Sequence, residues 1–94
     1  MELKVTEAAA KLFLAEWGFE EGDAVRIFVR YSGFSESGPY SFGIMKDSPR
    51  NPATSSQGSG LTFYMEQNDS WFMEERELTV DARDGEIVFL RGPQ

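Results

Sequence analysis

From Val25 to Tyr31 side chains alternate without a break, and no other stretch constrains the fold as strongly. Val25, Ile27, Val29 and Tyr31 fall on one face of an extended strand, with Arg26, Phe28 and Arg30 on the other. Phe28 between two arginines implies that the second face is partly covered as well. The same period of two returns at Tyr40, Phe42 and Ile44, so Tyr40 to Met45 is a second strand. Gly43 within it marks a bulge or a close backbone approach.

Upstream the period changes to that of a helix. Thr6 is a suitable N-cap for a helix from Thr6 to Trp17, Glu7 favours its first turn, and Ala9, Leu12, Phe13 and Trp17 form an apolar stripe. Gly18 ends it. Downstream, Lys46 to Gly60 has two Pro, two Gly and four Ser and no periodicity, which predicts a long surface loop, a flexible flap or a disordered insertion. Leu61, Phe63 and Met65 resume alternation, and Gln67 to Ser70 reads as a turn before Trp71 to Met73. Leu78, Val80 and Ala82 share a face that Ile87 and Phe89 continue beyond an Asp84-Gly85 hairpin turn. The sum is an α+β fold, with one N-terminal amphipathic helix packed on a mixed or antiparallel sheet of about six to seven short strands, in a single domain over residues 1–94.

Composition removes whole classes of chemistry. The 94 residues carry a formal charge of −7, divided almost evenly between the two halves, and such a surface repels phosphate backbones and anionic lipid. Neither nucleic acid nor a membrane is expected as a partner. With no cysteine there is no disulfide, thiolate nucleophile or cysteine-ligated metal, and with no histidine the usual base at neutral pH is missing. Serines 32, 35, 37 and 41 therefore lack an activating partner, and Ser56 to Gly60 has neither the lysine nor the spacing of a phosphate loop. The expectation is a non-enzyme without a cofactor. No basic segment followed by an apolar run opens the sequence, and the expected address is the cytoplasm.

The short first strand, the helix opening on Thr6, VRIFVRYSG from Val25 to Gly33 and YSFG from Tyr40 to Gly43 together resemble the HesB-like or A-type iron–sulfur biogenesis domain, most closely its small cysteine-free branch found in bacteria. The resemblance implies the fold of that superfamily. Its cluster-handling members place a cysteine after the loop glycine and a C-x-C pair near the end. Here Phe34 stands at the first position and VFLRGPQ, Val88 to Gln94, lacks the pair. What the resemblance implies is a non-catalytic binding module that has lost its cluster ligands. The alternative is a peripheral iron–sulfur assembly or iron-metabolism protein acting through partners or weak iron binding.

The candidate ligand or partner surface is then Arg26, Arg30, Tyr31, Phe34 and Tyr40, around the connection from Ser32 to Pro39. Arg26 and Arg30 share a face and have forked donors suited to a carboxylate or small anion, although pairing with the chain's own acids is the simpler reading. Tyr31, Phe34 and Tyr40 border the loop as a polar–aromatic recognition surface for a protein or a small anionic ligand. Asp69, Glu74, Glu75, Glu77 and Asp81 are dense enough to suggest a hard cation, but their spacing fits no calcium loop and no metal site is expected.

Overall fold

The computed structural model describes residues 2–31, 40–73 and 76–92. Its helix α1, Glu7–Glu16, begins where the sequence places it. Thr6 is extended, and its Oγ1 accepts the Ala9 N–H at 3.1 Å while donating to Asp81 Oδ1 at 2.8 Å. The cap thus both satisfies an orphan helix donor and ties the helix start to a distant strand. Gly18 closes the other end at φ +79, letting the Phe19 N–H turn back to the Phe13 carbonyl.

The helix face is rotated from the expected stripe. Ala9, Ala10 and Phe13 are buried and Leu14 packs on the core, whereas Leu12 is only half-buried and Trp17 is exposed, lying edge-on to Phe13 at 5.3 Å. Small side chains decide the rotation: a Cβ at Gly58 would lie 3.7 Å from the Ala10 methyl, so helix and strand approach closely along the alanine side. Phe13 then meets Phe63 at 5.6 Å in the middle of the core.

Among the described residues seven strands form two sheets where the sequence predicts one. β1 (Glu2–Val5) pairs in parallel with β6 (Glu77–Arg83), which pairs with β7 (Glu86–Arg91) across a turn with Asp84 at φ 52 and Gly85 at φ 76. The second sheet has the order β3 (Tyr40–Lys46), β2 (Ala24–Tyr31), β5 (Leu61–Glu66), β4 (Pro52–Gly58), with β2 and β5 parallel. Both pieces are needed to enclose one core of Phe13, Ile27, Phe63, Met65, Leu78 and Val80 with their neighbours. Gly43 is a close approach: it sits opposite Phe28, whose ring fills the space a Cβ would need.

The expected loop from Lys46 to Gly60 is corrected most. Its second half is strand β4, paired to β5 from Pro52↔Glu66 to Gly58↔Leu61 around Ser59 (φ 52) and Gly60 (φ 80). Pairing with β5, with no apolar alternation, holds this Ser- and Gly-rich strand in place. Its first half is anchored too, as the Arg50 and Asn51 N–H groups donate to the Glu66 carboxylate at 2.9 and 2.8 Å. Because β3 and β4 lie on opposite edges of the sheet, residues 47–51 cross it as a strap. Gln67–Ser70 is a short helix, α2, and Trp71–Met73 is a single 3₁₀ turn.

Candidate functional site

The two arginines of β2 have separate fates. Arg26 lies under the strap, donating through Nη2 to Asp69 Oδ2 at 3.1 Å and facing Asp47 at 3.6 Å. Burial disfavours its charge, but the hydrogen bond to Asp69 and the charge of that carboxylate outweigh burial and hold the guanidinium above its ordinary pKa. Asp69 Oδ1 also accepts the Val29 N–H, at the level where β5 has already given way to α2. Asp69 thus stands in for the missing strand and locks α2 onto β2. Beside it, the buried Tyr64 hydroxyl and Arg26 Nε have no partner among the described residues, and burial together with the Asp47 and Glu66 carboxylates pushes the Tyr64 phenol above its usual pKa.

Locking α2 has a consequence for the next turn of chain. It delivers Trp71 and Phe72 to the end of the β2–β3 hairpin, where Tyr31 and Tyr40 face each other in register. Tyr40 is the hub, with ring centroids 5.8 Å from Tyr31, 5.4 Å from Trp71 and 6.0 Å from Phe72. Phe42 extends the cluster to Phe72 at 5.4 Å and to Phe89 at 5.1 Å, and the Arg91 guanidinium lies 4.6 Å over the Phe72 ring. Most contacts are edge-on, the arrangement aromatic quadrupoles favour. Tyr31 remains 73% exposed and Trp71 57% exposed. Aromatic side chains held rigidly against one another and left open to solvent are the residue types that anchor protein interfaces.

Of the residues singled out from the sequence, Tyr31 and Tyr40 are brought together. Arg30 borders the cluster through Nε donation to Ser41 Oγ at 3.3 Å, and Phe34 lies outside the described residues. Arg26 is removed from the surface; it positions α2 instead. The reading from sequence omits Trp71, Phe72, Phe89 and Arg91, and the adjacent Trp71-Phe72 pair beside a polar turn was the available signal. The acidic residues do not converge: Asp69 serves Arg26, Glu77 pairs with Lys4 at 3.4 Å, and Asp81 serves Thr6, while Glu74 and Glu75 lie outside the described residues. Among the described residues no group of three acids is placed to hold a metal ion, and no helix is long and apolar enough to cross a membrane.

No protein-family model matches the chain. It is 35% identical over 81 residues to a protein of Bacillus subtilis (strain 168) named pyruvate dehydrogenase inhibitor, and the alignment covers 85% of each chain. This relative corrects the resemblance to the HesB-like, A-type iron–sulfur biogenesis domain, and with it both functional readings drawn from that resemblance, the cluster-free binding module of that superfamily and the peripheral iron–sulfur or iron-metabolism protein. The resemblance rested on a short first strand, a capped helix, VRIFVRYSG from Val25 to Gly33 and YSFG from Tyr40 to Gly43. Many α+β chains share such features, and none of them carries chemistry. A relative named as an inhibitor agrees with the expectation that the chain is not an enzyme. The chain belongs to the family of the Bacillus subtilis pyruvate dehydrogenase inhibitor.

Proposed function

We propose that this protein inhibits pyruvate dehydrogenase by binding to it, with the aromatic face of Tyr31, Tyr40, Trp71 and Phe72 as its contact surface. The observation that carries the proposal is the 35% identity, over most of both chains, to a protein named for that inhibition. The face supports it physically. It offers rigid, exposed Tyr and Trp rings at small cost in side-chain entropy on association. Arg30 and Arg91 flank the rings, while Arg26 acts from behind through Asp69. In this proposal the protein acts as one domain over residues 1–94, in the cytoplasm, on a protein partner and not on nucleic acid or a membrane.

Titration of the purified chain into the Bacillus subtilis pyruvate dehydrogenase complex tests the reading. Turnover falls as the chain is added, and Trp71→Ala raises the half-inhibiting concentration at least about tenfold, as a central Trp contributes roughly 2 kcal/mol or more to an interface. The circular dichroism and melting temperature of that variant stay those of the wild type. Full turnover at a large excess of wild-type chain overturns the proposal.

A further inference from the structure

Beside the aromatic face runs a groove of about 360 Å³ lined by Tyr40, Ser41 and Phe42 of β3, Ile87, Val88 and Phe89 of β7, and also by Phe72 and Arg91. Consecutive residues of a strand point to opposite faces, so a groove that touches three in a row touches the backbone edge. Each of the two strands is the outermost of its sheet, and on that side neither has a strand partner among the described residues. The groove is therefore bordered by two free strand edges, the geometry to which an extended peptide adds by main-chain hydrogen bonding.

Charge indicates what kind of peptide. On this acidic chain Lys4, Lys11, Arg26, Lys46, Arg50 and Arg83 each pair with the chain's own carboxylates, at 2.9–3.9 Å. Three arginines differ: among the described residues Arg30, Arg76 and Arg91 donate to neutral oxygens, Ser41 Oγ, the Gly92 carbonyl and the Phe72 carbonyl, and of these Arg91 lines the groove while Arg30 borders it through Ser41. Ser41 lines the groove, as Arg91 does, and among the described residues the lining contains no carboxylate. Cationic, aromatic and edge-exposed, the groove contrasts with the rest of a surface whose net charge is −7.

We infer that the groove receives an extended, carboxylate-bearing segment of the partner protein, added as a strand to the free edge of β3, with Arg30 and Arg91 pairing its acids and the aromatic rings taking its apolar side chains. This rests on the aromatic face being the contact surface and specifies the chemistry it accepts. The segment alternates acidic and apolar residues, because Arg30 lies on the face of the sheet opposite Tyr31 and Tyr40 and a strand laid along β3 turns its acids toward Arg30 and its apolar side chains toward the rings. Arg91, on the ring side, pairs an acid at one end of the apolar row.

A synthetic peptide alternating leucine and glutamate, titrated against the chain alone, tests the groove without the enzyme. Binding slows amide hydrogen exchange across Tyr40–Lys46, weakens as salt is added, and is lost at least tenfold in Arg30→Glu/Arg91→Glu while Arg30→Lys/Arg91→Lys retains most of it. A leucine–lysine peptide of equal length produces no protection. Protection appearing at Pro52–Gly58 instead, equal binding by the charge-reversed variant, or concentration-dependent dimers protected at β3 without peptide each overturn the inference. If the wild type leaves pyruvate dehydrogenase uninhibited while the acidic peptide still protects β3, the inhibitory reading fails and the groove assignment stands.

Discussion

The strap over Arg26 and the aromatic face around Tyr40 both lie against the β3-β2-β5-β4 sheet, each with an arginine beside an aromatic ring, Arg91 reaching in from β7 of the other sheet, yet the two are opposites. Under the strap, Arg26 has two carboxylates, Glu66 accepts two backbone N–H groups, and Tyr64 is fully buried. On the aromatic face Arg91 rests over Phe72, its guanidinium reaching no carboxylate among the described residues, and Tyr31 and Trp71 stand in solvent. The difference teaches which residues to assign to folding and which to recognition. Where a cation is enclosed with its counter-ions, its interactions are already spent on the fold; where it is left beside neutral acceptors, they remain for a partner.

The largest expected effect breaks the strap. Arg26→Ala leaves Asp69 and Asp47 without their shared cation and frees α2, and denaturant unfolding is expected to lose about 3 kcal/mol, in the range for removing one member of a largely buried pair. Because Asp69 also holds the turn bearing Trp71, inhibition weakens in this variant as well, although Arg26 does not touch the partner. Stability within about 0.5 kcal/mol of the wild type would show that the strap is decoration and that the two regions are not mechanically linked.

A smaller effect of opposite sign comes from Tyr64. Its hydroxyl is buried without a partner among the described residues, so Tyr64→Phe is expected to stabilise the protein by roughly 1 kcal/mol. The pH dependence follows from the raised phenol pKa. A folded-state value above the unfolded value of about 10 means the contribution is complete below pH 10 and is lost as pH rises through the folded-state value. The wild type therefore loses stability on alkaline titration, and Tyr64→Phe removes that part of the loss. Parallel alkaline melting curves for the two proteins would count against it.

The smallest expected effect is on stability at the aromatic face itself. Tyr31→Ala removes an exposed ring and is expected to change unfolding free energy by less than about 0.5 kcal/mol while still weakening inhibition. Trypsin sharpens the same contrast from the other side. Arg50 has an exposed side chain but a backbone N–H tied to Glu66, so cleavage after it is expected to be slow and to track global unfolding. Rapid nicking at Arg50 in the native state would return the strap to the status of a loose loop.

Local chemistry was enough to read several features correctly. Thr6 caps because a short hydroxyl there reaches the third amide of the helix. Val25 to Tyr31 is a strand because alternation suits only a pleated backbone, and Asp84-Gly85 turns because both positions accept positive φ. The candidate face was legible in part, through Tyr31 and Tyr40, which flank one hairpin and are therefore neighbours on local grounds alone. Strand β4 was missed because its apolar content is low and pairing with β5 holds it, although the Ser59-Gly60 turn carried a signal. The helix face was misjudged at Leu12 because an approach between Ala10 and Gly58 is visible only when both elements are in place.

By itself the sequence determined the kinds of elements, the acidity of the surface and the absence of thiol and imidazole chemistry, since these depend on residue type and on neighbours within one turn or one strand. Tertiary structure decided how the strands divide into two sheets, which arginine is enclosed and which is open, and that Trp71 and Phe72 join Tyr40. Those outcomes depend on groups far apart in the chain, above all Asp69 reaching Arg26 and the Val29 amide across some 40 residues. No local pattern encodes such a contact, because its energy exists only once the packing that excludes water from it has formed.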